Sequence, residues 1–122
     1  MGKRLVHVEF PAQDIDRGRK FWEGVGGWSL NDAGMPGGQY LMFQEGDQGG
    51  AVFKMDEYPA SGTTIYLGSD DIDADLAKVK ELGGDAEGKQ PIPSVGWFAR
   101  CKDSEGNEFS LFQSDESVPA PQ

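Results

Sequence analysis

The chain has 122 residues, 37% of them hydrophobic and 26% charged, with 21 acidic and 11 basic side chains and a net charge of −10. That length suits a single globular domain able to bury a core without staples. The acidity excludes nucleic acid and anionic membranes as partners. No stretch approaches the roughly 20 apolar residues of a membrane helix, and the one cysteine, Cys101, excludes an internal disulfide or a cysteine-built zinc site. The N-terminus enters a strand pattern without an apolar leader, so the expected location is cytoplasmic.

In chain order, Leu5 to Phe10 alternates in period two. Val6, Val8 and Phe10 share one face, and Leu5, His7 and Glu9 the other. Asp14 is a suitable N-cap for a helix that Gly26-Gly27 ends. Ile15, Trp22 and Val25 form its apolar stripe, with Arg19 interrupting it, and Phe21, Trp22 and Trp28 are read as core. Strand candidates follow at Trp28 to Asn31, Gln39 to Gln44 and Ala51 to Met55, separated by the glycine-rich turns at Gly34 to Gly38 and Glu45 to Gly50.

The pattern then repeats. Asp14-Ile15-Asp16 recurs as Asp71-Ile72-Asp73 and Gly26-Gly27 as Gly83-Gly84, both offset by 57 residues. The second copy has a strand from Thr63 to Gly68 and a helix with Ile72, Leu76, Val79 and Leu82 on one face. A weaker strand near Asp85 to Gln90 precedes strands at Val95 to Lys102 and Glu108 to Gln113, the last two joined by the turn Asp103 to Asn107. The expected organisation is one domain over residues 4–114. Module one is 4–55, a linker covers 56–62, module two is 63–114, and a loosely held C-terminal tail runs over 115–122. Each module reads β-α-β-β-β, which makes the chain α+β.

A duplicated βαβββ unit resembles the vicinal oxygen chelate superfamily, which includes glyoxalases, bleomycin-resistance proteins and extradiol dioxygenases. The residues that carry the resemblance are Arg4 to Phe10, Asp14 with Phe21-Trp22 and Gly26-Gly27-Trp28, Asp70 to Asp73, Leu82-Gly83-Gly84, Pro91 to Ala99 and Lys102 to Asn107. It implies two tandem modules that form an eight-stranded incomplete barrel around a cleft. It also implies a divalent metal in that cleft, held by one first-strand and one last-strand side chain from each module, which acts as a Lewis acid toward vicinal substrate oxygens. The superfamily positions fall on His7, Thr64, Ser110 and, through the 57-residue offset with a slip of one or two, Phe53. Only His7 is a good ligand type, and one imidazole cannot hold a metal that needs about three or four protein ligands. A divalent metal therefore stays an alternative to the expectation of none.

If His7 lies on the cleft face, so do Glu9, Thr64, Tyr66, Ser110 and Phe112, with Phe53 and Met55 joining from module one. Tyr40 and Trp97, matched by the 57-residue offset, would be opposite walls. Aromatic walls with few polar groups suit a small, partly aromatic ligand. The expected activity is thus metal-free binding of such a ligand. A metal-dependent lyase (lactoylglutathione lyase-like) or dioxygenase with an atypical site is the alternative, as is a metal-free acid–base enzyme using His7 and Glu9. A lone histidine on a strand is also commonly a hydrogen-bonded pocket residue, so its role stays open. Cys101 reads as inert, and the acidic run Asp70 to Asp75 as helix capping rather than a calcium loop. Resembling proteins commonly pair two-fold, so a homodimer is expected.

Overall fold

The computed structural model describes residues 2–34, 38–55 and 62–119. The linker expected over 56–62 lies almost wholly outside the described residues. The chain forms two compact units: Val6–Thr64, and the N-terminal residues up to Leu5 together with the chain from Ile65 onward.

The first unit contains β1 (Leu5–Ala12), α1 (Ile15–Gly26), β2 (Asn31–Asp32), β3 (Tyr40–Glu45) and β4 (Gln48–Lys54). Its strands run in the order β2-β3-β4-β1, with β1 parallel to β4 and the other pairs antiparallel. A parallel return needs a crossover, and α1 is part of it. As expected, Asp14 caps α1 by accepting from the backbone N–H of Arg17. The left-handed terminating residue is Gly27 rather than Gly26. Val8, Phe10, Ile15, Trp22 and Trp28 pack against buried Ala12, Leu30, Leu41, Phe43 and Val52. The aromatic members stack, Phe10 on Trp22 and Trp28 on Phe43, each with ring centres 4.1 Å apart. Phe21 is not core: it lies off the stripe, 56% exposed, and touches Trp22 only by its edge.

Arg19 interrupts the stripe for a reason. Its guanidinium donates to the Leu30 carbonyl at 2.8 Å, while Glu23 accepts from the Leu30 N–H at 3.0 Å. Two helix side chains thereby satisfy both backbone groups of a residue with no exposed surface. This clamp explains why the strand expected at Trp28 to Asn31 shrinks to Asn31–Asp32: the backbone of Leu30 pairs with a helix, not a strand.

β4 begins three residues earlier than expected, because the turn after β3 needs only Gly46 and Asp47. Gly49 and Gly50 belong to the strand. Sequence reasoning placed them in a turn because glycine is depleted in strands. The structure needs Gly50 there: a Cβ would sit 2.6 Å from the Val8 carbonyl oxygen and 2.7 Å from the Phe43 ring.

The second unit contains β5 (Thr64–Gly68), α2 (Ile72–Glu81), β6 (Asp85–Ala86), β7 (Gln90–Ile92), β8 (Gly96–Lys102) and β9 (Glu108–Ser114). The order is β5-β9-β8-β6, with β7 also on β8, and β5 is parallel to β9. The single strand expected near Asp85 to Gln90 is two short ones, so nine strands occur among the described residues. Gly88 lies in the gap, and Pro91 offers no N–H to a ladder. Asp71 caps α2 through the Ala74 N–H, and Gly83 takes a left-handed φ of 94°, both as expected. Ile72, Ala99, Cys101 and Leu111 form the buried core, with Leu67, Leu76 and Val79 against it. Lys3 pairs with Asp75 at 2.8 Å, and the Arg4 carbonyl accepts from the Gly68 N–H, which ties the N-terminal residues to this unit.

The segment after β9 is not loose over its described part. Asp115 N–H donates to the Val95 carbonyl, the Val118 carbonyl accepts from Ser94, and Val118 is buried. An apolar residue and two backbone hydrogen bonds hold a stretch whose polar composition predicted a loose tail.

Candidate functional site

In the first unit the alternation of β1 sends Val8 and Phe10 to the helix-side core and leaves His7 and Glu9 on the opposite sheet face. The same alternation on β3 sends Leu41 and Phe43 inward and puts Tyr40 with His7 and Glu9. The Tyr40 phenol crosses to them. Its oxygen lies 3.0 Å from His7 Nε2, and its hydroxyl donates to Glu9 Oε2. His7 Nε2 is 3.5 Å from the same carboxylate oxygen. Both side chains are largely buried, 18% and 16% exposed.

β3 and β1 are separated by β4, two strand spacings of about 4.8 Å each. A phenol spanning that gap must pass over β4, where Ala51 is level with Glu9 in register. It pairs with Glu9 on one side and Met42 on the other, and it has no exposed surface although it points away from the Val52 side of the strand. Sequence reasoning did not single out Ala51. The only signal was that the strand expected from Ala51 opens on a small residue, directly after Gly49-Gly50.

The other expected residues of this unit fall as follows. Phe53 is the direct cross-strand partner of Tyr40, with ring centres 6.2 Å apart. Met55 follows β4, half-buried, its N–H donating to the Ala12 carbonyl. Thr64 opens β5.

In the second unit, Tyr66 pairs with Ser110 across β5 and β9, and Phe112 follows Ser110 on the same face, opposite the buried Leu111. Trp97 is not on that face. It packs against the helix-side core with Ala99 and Cys101, donates its indole N–H to Asp115 at 3.3 Å, and is covered by Lys89, whose ammonium lies 4.7 Å from the ring centre. Bonds from Ser117 above all, and then from the indole, hold the Asp115 carboxyl below the usual carboxylate range. Phe98 occupies the place expected of Trp97, paired directly with Phe112 as Tyr40 is with Phe53.

Both corrections come from register: Phe98 follows Tyr40 by 98 − 40 = 58 residues, one more than the constant offset of 57, which turns Trp97 to the other face. Glu9 pairs with Ala51 in the first unit, and Tyr66 with Ser110 in the second. The last strands are therefore offset by two residues more than the first strands, because the turns before them differ in length. The first-unit counterpart of Ser110 is Ala51, not Phe53.

This register bears on a metal. The four superfamily positions become His7, Thr64, Ala51 and Ser110: one imidazole, two hydroxyls and a methyl. His7 Nε2 and Glu9 Oε2 are both engaged with the Tyr40 hydroxyl. Among the described residues no three histidine, cysteine, aspartate or glutamate side chains gather as a divalent ion requires. The residues present do not fit the superfamily's metal.

A glyoxalase-like domain pattern matches residues 6–112. The chain belongs to the glyoxalase-like family. A glyoxylase-like domain-containing protein of Didymella fabae is 30% identical over 88% of this chain and 91% of its own length. CFP32 of Mycobacterium bovis, which bears a provisional glyoxylase name, is 34% identical over 97% of this chain, and the chain spans only 45% of it. Among solved structures, a Streptomyces coelicolor methylmalonyl-CoA epimerase shares the fold with a TM-score of 0.70 at 17% identity, covering 97% of this chain and 98% of its own. A glyoxalase/bleomycin resistance protein/dioxygenase superfamily member from Vibrio splendidus does so at 0.68 and 18%, covering 93% and 100%. These glyoxalase-like structures bear out the α+β fold. No helix among the described residues is long and apolar enough to cross a membrane.

Proposed function

We propose that this glyoxalase-like protein binds a small, partly aromatic organic ligand on the sheet face of the first unit, without a divalent metal. The carrying observation is the cluster of His7, Tyr40 and Glu9, in which the Tyr40 hydroxyl meets both His7 Nε2 and the Glu9 carboxylate. The nitrogen and carboxylate oxygen that could ligate an ion are instead engaged with a phenol hydroxyl. Tyr40 and Phe53 add aromatic surface beside it, and a few convergent polar groups among aromatic ones fit an organic ligand. The metal-dependent lyase or dioxygenase alternative is disfavoured by the donor set, which supplies one good ligand where about three are needed.

The experiment is a thermal-shift screen of planar aromatic compounds on wild type and Tyr40→Phe, beside metal analysis of wild type and His7→Ala. Stabilisation that Tyr40→Phe weakens, with substoichiometric metal in both metal samples, supports the reading. One divalent ion per chain that His7→Ala removes refutes it. We also propose a homodimer, with Phe21 and Val25 one helical turn apart and exposed on α1 as available apolar surface. Light scattering that returns a single-chain mass of 13.2 kDa refutes that.

A further inference from the structure

The edge of β3 carries an open rung. Along an antiparallel strand, alternate residues direct their main-chain bonds to opposite neighbours. The Gln39 carbonyl accepts from the Lys54 N–H, toward β4, and the Tyr40 carbonyl accepts from the Ala33 N–H, toward the β2 side. By that alternation Met42 and Gln44 also direct their main-chain groups toward the β2 side. Met42 is level with Asn31, so Gln44 is level with Ser29. That last rung is not made, because β2 begins at Asn31. Arg19 and Glu23 hold both main-chain groups of Leu30, and the Asn31 side-chain amide donates to the Ser29 carbonyl at 3.3 Å. The chain is thereby held to α1 and away from the ladder. The Gln44 N–H and C=O have no partner on that side among the described residues.

An open cavity of about 430 Å³ lies at this rung, its lining including Trp28, Ser29, Asn31, Met42, Gln44 and Glu45. It shares no residue with the His7, Tyr40 and Glu9 cluster. Two residues that face each other in a hydrogen-bonded antiparallel pair exchange both bonds. The partner of Gln44 must therefore offer an N–H and a C=O on either side of one tetrahedral carbon, which is one amino-acid residue in amide linkage at both ends. Asn31 already fills the next rung and β3 ends at Glu45, so there is room for one such residue and not for an added strand. Glu45 is exposed and pairs with no basic group among the described residues, and no lysine or arginine lines the cavity. A carboxylate at the rim of a chain with net charge −10 favours a cation. Trp28 and Met42 offer apolar surface to the stem of a long basic side chain. We propose that this cavity is a second binding site, for a small N-acylated basic amino-acid amide held by the Gln44 main chain and the Glu45 carboxylate.

The test titrates nitrogen-15-labelled protein with Nα-acetyl-L-arginine N-methylamide. Saturable binding is expected, with the Gln44 backbone amide and the Trp28 indole N–H among the signals that move most. The analogue methylated on the arginine Nα lacks the donor and is expected to bind at least about fivefold more weakly. The norleucine analogue keeps both amides but not the charge, and is expected to bind about two- to fivefold more weakly. Glu45→Gln, a change at an exposed side chain, is expected to abolish that preference for arginine while Gln44 still responds. No saturable binding overturns the site, as does saturable binding that moves His7 and Tyr40 and leaves Gln44 unmoved. Equal affinity for the Nα-methylated analogue overturns the pairing with Gln44. A preference for arginine that survives Glu45→Gln overturns the assignment of Glu45 and with it the basic class of ligand.

Discussion

Replacing Ala51 with leucine tests whether the Tyr40 phenol crosses β4 where the strand register places it. Ala51 has no exposed surface and lies between Glu9 and Met42. Leucine adds three carbons to a filled space, an overpacking cost of about 1–3 kcal/mol. If the phenol occupies that space it must leave, and its two hydrogen bonds go with it. A bond to a carboxylate is worth about 1.5–3 kcal/mol and one between neutral groups about 1 kcal/mol. The expected loss for Ala51→Leu is therefore about 3.5–7 kcal/mol. That is a large share of the stability of a chain this size, at about 0.05–0.15 kcal/mol per residue. In a Tyr40→Phe background the hydroxyl bonds are already gone, and the same leucine costs only the overpacking. Urea unfolding of wild type, both single variants and the double variant should give a coupling of about 2.5–4 kcal/mol. Additivity within about 0.5 kcal/mol would refute the crossing, and with it the assignment of Ala51 as the residue that lets the network form.

Four further outcomes follow from local geometry. Gly50→Ala places a methyl against the Val8 carbonyl and the Phe43 ring, and should cost at least about 2 kcal/mol by denaturant unfolding, more than the same change at Gly24, where a Cβ meets nothing. Arg19→Leu should destabilise by about 1–2 kcal/mol even though it completes the apolar stripe, because it strands the Leu30 carbonyl; Arg19→Lys should recover part of that loss. Burial pushes the Asp75 carboxyl up, but bonds from Lys3 and Ser69 outweigh it and hold it below the usual carboxylate range. A depressed folded value means the stabilisation is present above the unfolded value and is lost as pH falls through the folded one. The stability gap between wild type and Asp75→Asn should thus close on acidification below about pH 4. Burial, and then Asp85 and Glu87, push the Cys101 thiol up to about 11, so iodoacetamide should label Cys101 only in unfolded protein.

The sequence by itself determined the two helices with their aspartate caps, the first strand of each module and the module repeat. These are local: a carboxylate caps its own helix, and apolar periodicity reports which face is covered whatever covers it. It also placed His7 and Glu9 on one face, because alternation along a strand needs no partner. The tertiary structure decided what long-range pairing controls. Turn lengths shift the modules' third strands by one residue (98 − 40 = 58) and their last strands by two (110 − 51 = 59) from the constant offset of 57, which misassigned Phe53 and put Trp97 on the face where Phe98 belongs. Gly49 and Gly50 looked like a turn because the carbonyl and ring that demand glycine arrive from β1 and β3. Arg19 looked like a flaw in a stripe because Leu30, whose backbone it serves, lies 11 residues away. Tyr40 joins His7 and Glu9 across 33 and 31 residues of chain, and only the register of β3, β4 and β1 brings one hydroxyl to both. Two side chains on one strand are legible in sequence. The third that fixes their chemistry is not, since its distance is set by which strands pair and how small the residue beneath it is.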